Sequence, residues 1–257
     1  MVSPAAPEAP EVWALIPARA GSKGVKDKNL RILFGHSILA WSVMAARAAA
    51  GINRVFVTTD SPTYMHEAQR YGAETPFQRP AEIATDTSTD LEVFQHFLTW
   101  AGQETDALPA AIVHLRPTTP MRDPDVVSTS AYAALARRAE ATALRSVHEC
   151  AESPFKWFMQ DREGFLVTLE GSRALDSANA TRQSFQSVFI PNGYVDVIFP
   201  DFVLEEHRLH GDSVLPFETP PVIEVDTEVE LELLQNMGNV PTRLLQEAQR
   251  IERVLRS

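Results

Sequence analysis

Val12-Trp-Ala-Leu-Ile16-Pro-Ala-Arg19-Ala-Gly21-Ser22-Lys23-Gly24-Val-Lys26-Asp-Lys28-Asn29 is the stretch on which the reading of the fold turns. Val12–Ile16 is a short, wholly apolar run, the pattern of a strand covered on both faces. It gives way at once to a loop carrying Arg19, Lys23, Lys26 and Lys28 together with Gly21 and Gly24. A buried strand that runs into a polar, glycine-bearing loop is the first half of a βα unit.

The same alternation continues outward. Ser37–Ala50 reads as a helix with Leu39, Val43 and Ala46 on one stripe and Gly51 as its stop. Arg54–Thr58 is a second strand. Ser61 then caps a helix with Pro62 at its first position, where the missing N–H costs nothing. Thr89 and Glu92 make a capping box, opening a helix with Leu91, Phe94, Leu98 and Ala101 in phase. Ala110–Leu115 is a third strand, Asp123-Pro124 starts a helix to about Arg138, and Thr142–Val147 is a fourth strand. Repeated βα order predicts a parallel sheet with helices on both faces and right-handed crossovers. Ligands of such sheets sit beyond the carboxyl ends of the strands. From about 152 to 191 the helical period disappears and aromatics accumulate (Phe155, Trp157, Phe158, Phe165, Phe185, Phe189), as expected for an inserted lobe. Gly193–Phe199 and Pro221–Val225 read as strands, and Thr242–Arg256 as a closing helix with Leu244, Ala248, Ile251 and Leu255 in phase.

Composition narrows the function. The 257 residues hold 23 Lys+Arg against 34 Asp+Glu, a net charge of −11. This argues against non-specific nucleic-acid binding and against docking on anionic membranes. A chain of this length needs no disulfide or metal staple, and a single Cys150 excludes a disulfide framework or a Cys-built zinc site. Cys150 itself reads as a buried small residue. No apolar run reaches the length of a membrane span. Residues 1–11 are rich in Pro and Ala and lack a basic start, so they read as a disordered tail and not a secretory signal. The expected location is the cytoplasm, with one domain over residues 12–257.

Four cations and bare glycine amides at a strand end suit a polyphosphate, although a solvated basic turn has the same composition. The loop is neither a Walker A motif nor a Gly-x-Gly-x-x-Gly turn. There is no paired-His zinc motif and no Gly-x-Ser-x-Gly elbow. Near the carboxyl end, Ile223-Glu224-Val225-Asp226 places two carboxylates two residues apart. On a strand they would share a face, either as hard oxygen ligands for Mg²⁺ or as two surface acids. Arg116-Pro-Thr-Thr-Pro-Met-Arg122 is a stiff strand-exit turn; Arg116 either meets an anion or makes a surface ion pair. Ser88 and Thr89 read as helix-capping hydroxyls. Lys156 and Arg182 flank the aromatic lobe.

The loop matches at every fixed position the signature Ile-Pro-Ala-Arg-x-Gly-Ser-Lys-Gly-x-x-x-Lys-Asn of the CMP-acylneuraminate synthetases, the cytidylyltransferases that activate sialic and related nonulosonic acids. The resemblance continues at Thr59-Asp60-Ser61, Arg79-Pro80, Leu115–Arg122, Arg182-Gln183, Asn192-Gly193 and Val225–Glu228, covering about residues 12 to 235. It implies a Rossmann-like three-layer α/β/α sandwich of the nucleotide-diphospho-sugar transferase type. A small inserted lobe, at about 152–191, would serve dimerisation and sugar binding, giving a homodimer.

The implied reaction joins CTP and a sugar acid into a CMP-sugar and pyrophosphate, with Mg²⁺ as cofactor. The same chemistry with GTP on a legionaminate-like acid, or a nucleotide-binding regulator without turnover, are the alternatives. The implied nucleotide contacts are Ala18, Arg19, Gly21, Ser22, Lys23, Asn29, Arg79 and Ser88, and the catalytic residues Arg19, Lys23 and Asp226. The implied sugar contacts are Arg116, Lys156, Arg182, Gln183 and Asn192. The metal ligands are Asp226 and Glu224. Three positions depart from the family pattern. Glu224 stands where an Asp is usual, Arg116 where Gln is common, and Asn192-Gly-Tyr-Val-Asp196 replaces the commoner Asn-Gly-Ala-Ile-Tyr. Glu reaches one methylene further than Asp, so Asp226 is the favoured direct ligand and Glu224 one that acts directly or through water.

Overall fold

The computed structural model describes residues 10–22, 24–237 and 239–255, and for Arg182 the backbone alone. In chain order the strands are β1 (Val12–Pro17), β2 (Ile32–Leu33), β3 (His36–Ser37), β4 (Arg54–Thr58), β5 (Ala111–His114), β6 (Ala143–Glu149), β7 (Phe158–Gln160), β8 (Leu166–Thr168), β9 (Phe189–Ile198) and β10 (Val214–Glu218). The helices are α1 (Ile38–Ala48), α2 (Pro62–Arg70), α3 (Asp90–Glu104), α4 (Pro124–Ala136), α5 (Pro200–Glu206), α6 (Glu228–Met237) and α7 (Thr242–Leu255).

Six strands form the central sheet in the order β10-β6-β9-β5-β1-β4. Five are mutually parallel, and β9 runs antiparallel between β5 and β6. The expectation of a wholly parallel sheet therefore fails at β9. The reason is local: a chain returning from an excursion after β6 re-enters beside it, as a hairpin partner does, without a crossover.

Strand alternation sends the two faces into two cores. Ala14, Ile16, Val57, Val113, Val195 and Val197 face the layer of α1, α4 and α7, while Trp13, Leu15, Phe56, Ile112 and Ile198 face α3 and α5. On α3 the predicted Phe94, Leu98 and Ala101 are buried together with Phe97, while the predicted Leu91 is only partly buried, and the Thr89–Glu92 capping box is formed. Ser61 and Ser37 cap α2 and α1 through their hydroxyls. Helix α1 is buried on all sides from Ile38 to Ala46, because α2, α4 and α7 cover the face that the sheet does not. In α7, Leu244, Ala248 and Ile251 pack, whereas Leu255 is exposed.

Three further expectations need correction. Pro221–Val225 is not a strand: Pro221 and the preceding Pro220 have no N–H to donate, and the Val225 N–H goes to the Thr118 carbonyl (2.7 Å). The last strand is instead Val214–Glu218, whose Pro216 is tolerated because β10 is an edge. Glu11, expected in the disordered tail, is held: its carbonyl accepts from Ala110 N (2.8 Å) and its carboxylate from Trp13 Nε1 (2.8 Å). Met1–Ala9, Lys23, Arg256 and the side chain of Arg182 lie outside the described residues.

Between β6 and β9 the chain forms the β7–β8 hairpin and three short 3₁₀ turns. This segment leaves Trp157, Phe158, Met159, Phe165 and Leu166 exposed. Residues 189–191, expected within the lobe, already belong to β9 and pair with β6.

Candidate active site

The carboxyl ends of β1, β4 and β5 open on a cleft of about 550 Å³. Pro17, Arg19, Ser22, Gly24, Lys28 and Asn29 line one wall; Arg79, Asp86, Ser88 and Asp90 another; Arg116, Pro117, Thr118 and Asp226 the rest. A larger groove of about 1300 Å³ opens at the amino ends of the strands. It carries Glu11, Glu104, Asp106, Asp201 and Glu205, and its Arg54 and Arg138 are paired with Glu74 and Asp201. Its acidic excess repels anions, so the smaller cleft is the one that suits a polyphosphate.

The basic loop is shaped by a few specific bonds. Ala20 N–H donates to Asp60 Oδ1 (2.8 Å), and Asn29 Nδ2 donates to the Arg19 carbonyl (3.2 Å). Asp27 in a left-handed conformation turns the chain into the Lys28–Leu30 3₁₀ turn. Arg19 reaches Asp86 across the cleft (2.5 Å). At Gly24 the loop meets the far end of the chain: a Cβ there would lie 2.2 Å from the Asp226 carbonyl oxygen, so only glycine fits. Lys28 Nζ pairs with Asp226 Oδ1 (2.7 Å).

Asp226 owes its place to a second capping box. Glu230 accepts from the N–H groups of Asp226 (2.9 Å) and Thr227 (2.8 Å), while Thr227 Oγ1 accepts from Glu230 N (3.3 Å). The Thr227-x-x-Glu230 spacing was the sequence signal for this turn. Glu224 lies against Gly193, where a Cβ would sit 2.8 Å from its Oε1. Its carboxyl is raised, first by burial and then by the neighbouring Asp226 charge. The Asp226 charge reaches Glu224, although not by strand alternation, and of the two only Asp226 lines the cleft.

Arg79 is placed by its own N–H donating to the Thr59 carbonyl at the end of β4 (2.8 Å). It is 5% exposed, and neither Nε nor Nη2 has a hydrogen-bond partner among the described residues. Burial pulls its affinity for protons down. A buried guanidinium with two unbonded nitrogens is costly unless an acceptor meets them.

Arg116 is clamped. Its Nη1 donates to Asp196 Oδ2 (3.0 Å) and its Nη2 to Asp90 Oδ2 (2.7 Å). Arg122 is fully buried and bonds the carbonyls of Arg116 (2.6 Å), Gly193 (3.0 Å), Thr119 and Tyr194. Burial lowers it to about 9, so it remains a cation at neutral pH and staples the β5 exit to β9.

A sequence model of the cytidylyltransferase family matches residues 13–152. The chain belongs to this family. Among relatives of this cytidylyltransferase, a CMP-N,N'-diacetyllegionaminic acid synthase of Legionella pneumophila is 26% identical over 229 residues, 88% of this chain and 95% of the relative. An N-acylneuraminate cytidylyltransferase of Escherichia coli O18:K1:H7 is 40% identical over 114 residues, 44% of this chain and 26% of that protein. Among solved structures, a CMP:2-keto-3-deoxy-manno-octonic acid synthetase in complex with CTP superposes with a TM-score of 0.64 at 16% identity, over 88% of this chain and 98% of that one. The fold is therefore of the nucleotide-diphospho-sugar transferase type.

The structure of this cytidylyltransferase brings Arg19, Ser22, Asn29, Arg79, Ser88, Arg116 and Asp226 to one cleft. Other expected positions lie elsewhere. Ala18 has its side chain in the core and its N–H on the Thr58 carbonyl (3.0 Å). Gly21 supplies a positive-φ turn without lining the cleft. Asn192 is buried, donating to Thr219 Oγ1 (2.6 Å) and accepting from Tyr194 N (3.3 Å), so its amide is spent on the protein. Lys156 sits over the Phe185 ring, and Gln183 lines a separate cavity with Cys150 and Ser153. Absent from the expected site were Lys28 as the partner of Asp226, and Asp90 and Asp196 as partners of Arg116. Among the described residues no helix is long and apolar enough to cross a membrane.

Proposed function

We propose that the protein activates a nonulosonic acid with CTP. An acceptor hydroxyl attacks the α-phosphorus, the bond to the β-phosphate oxygen breaks, pyrophosphate leaves and a CMP-sugar remains. The observation that carries this reading is the meeting of Gly24 and Lys28 with Asp226, which closes the cationic loop and the acidic segment around one cleft. The named relatives, synthases of CMP-linked legionaminic and acylneuraminic acids, support the acceptor class.

Arg19, Ser22, Lys28 and Arg79 are suited to hold the triphosphate, and the cations to offset charge on the departing pyrophosphate. Catalysis of this kind is positioning and charge compensation, with little for a protein base to do. Mg²⁺ fits the donor set. No group of three or more His, Cys, Asp or Glu among the described residues is placed to hold a metal by itself. Mg²⁺ needs fewer, because it keeps waters and takes phosphate oxygens. Asp226 and Glu224 would hold it, and its charge would offset the burial and the Asp226 repulsion that raise Glu224. When bound, the ion withdraws charge from the phosphates.

The test is a matrix of the four NTPs against a panel of nonulosonic acids, scored by pyrophosphate release. CTP with one such acid is the expected productive pair. Release with GTP alone would replace the base, and nucleotide binding without release from any pair would overturn the enzymatic reading.

The exposed apolar side chains of the β7–β8 hairpin support a homodimer built on this lobe, since an exposed cluster of this kind marks an association surface. Light scattering is expected to give twice the 28.5 kDa chain mass and, for Trp157→Glu, the single mass. A monomeric wild type at micromolar concentration would refute it.

A further inference from the structure

The departures at positions 116 and 196 lie in direct contact. His114 on β5, Asp196 on β9 and Arg145 on β6 stand opposite one another in register, so their side chains form one row across the sheet. The row lies on the α3 face, two residues along the strands from Ile112, Ile198 and Ala143, which share that face. Asp196 is 1% exposed at its side chain, with Arg116 at 3.0 Å, His210 Nε2 at 3.5 Å, Arg145 at 3.6 Å and His114 Nδ1 at 3.9 Å. Asp90, the first residue of α3, holds the other arm of the Arg116 fork. The Arg116 carbonyl is fixed in turn by Arg122. The Arg116 carbonyl and both Nη atoms are therefore held, and the residue lines the cleft.

We infer that Asp196 is a positioning residue for acceptor recognition: from inside the sheet it fixes, together with Asp90, the orientation in which Arg116 meets the sugar acid. This rests on the proposed activity. Two carboxylates already compensate the guanidinium, so it acts as a donor of fixed direction toward neutral oxygens of the acceptor and is a poor site for the extra charge of a phosphate or a further carboxylate. Triphosphate binding falls to Arg19, Lys28 and Arg79. Such geometry is sensitive, because a displacement near 1 Å costs on the order of 100-fold in rate.

The test is a double-mutant cycle with the productive NTP and acid. Asp196→Asn keeps the shape of the side chain and removes its charge. It is expected to lower kcat/KM for the acid on the order of 100-fold, mainly through KM, with the NTP KM within about threefold. In an Arg116→Gln background the same change is expected to cost less than about threefold, because partners in one network do not add. Additive losses, or a rise in the NTP KM in place of the acid KM, would overturn the inference.

A second measurement is independent of turnover. Arginine side-chain NMR, with Arg116 assigned by its absence in Arg116→Gln, is expected to show hindered guanidinium rotation in the wild type and averaged signals in Asp196→Asn. An unchanged pattern would overturn the positioning role whatever the enzyme turns over. Absence of pyrophosphate release by the wild type would instead fail the proposed function. Should Asp196→Asn not fold, Asp90→Asn, at a side chain 38% exposed, carries the same cycle and spectra.

Discussion

Replacing Arg79 with methionine is expected to make the free protein more stable and to cripple it as a nucleotide-binding enzyme. The side chain is buried, and two of its guanidinium nitrogens lack partners among the described residues. An unsatisfied buried polar group costs roughly 1–3 kcal/mol. Methionine fills much of the same volume without that cost, so the melting temperature is expected to rise by a few degrees. The NTP KM is expected to rise on the order of 100- to 1,000-fold, the size of effect seen when one member of a buried, hydrogen-bonded charge pair is removed. Thermal melts and pyrophosphate-release kinetics read the two effects separately. A lower melting temperature with an unchanged NTP KM would make Arg79 a structural residue and remove it from the site.

Asp226→Asn is the second large effect. The substitution keeps the N–H bond to Glu230 and the contact of its carbonyl with Gly24, both of which are main-chain. Only the charge is lost. The Mg²⁺ concentration for half-maximal rate is expected to rise at least about tenfold, with kcat reduced, since outer or inner carboxylate partners of a metal are worth 10–100-fold in affinity. An unchanged Mg²⁺ titration would exclude Asp226 as a ligand. The pH dependence follows from its neighbour. Burial and the Asp226 charge raise the Glu224 carboxyl, so its ionised form, present at high pH, is lost as pH falls through a value above the ordinary glutamate range. Protons then compete with the metal. At limiting Mg²⁺ the acid limb of activity is expected at higher pH than an ordinary glutamate would give, and Asp226→Asn, which removes the raising charge, is expected to shift that limb toward acid. A shift toward alkali would contradict the assignment.

Much of the fold was legible where burial and capping speak with one voice. Arg54–Thr58 is a strand at the bounds its apolar run suggests, and Ser61-Pro62 and Thr89–Glu92 mark real helix starts. The antiparallel course of β9 was not legible, because an apolar run buried on both faces reads the same in either direction. Val214–Glu218 was masked by Pro216, and Pro221–Val225 imitated a strand by being extended.

In the site, the loop and Arg79 were readable from residue type. The roles of Asp90 and Asp196 were not, since each depends on Arg116, 26 and 80 residues away. One signal was available: Asp196 is an acid within the apolar run Tyr194–Phe199, where an uncompensated carboxylate would be expensive. Burial would raise its carboxyl, but the His210 contact, His114 while protonated, and the Arg116 and Arg145 charges outweigh this and hold it well below the usual range. His114 is lowered as well, to about 4, by burial and by Arg116, and is therefore neutral at neutral pH.

The join between Gly24 and Asp226 has a bearing on biosynthesis. Lys28 and Asp226 are separated by 198 residues, so a chain emerging from the ribosome has made the whole cationic loop long before the carboxylate that closes it exists. Until Asp226 clears the exit tunnel, the loop is an open cradle of positive charge in a cell full of phosphorylated metabolites. Competence to turn over substrate is therefore expected only late in translation, once the segment that leads into α6 has docked.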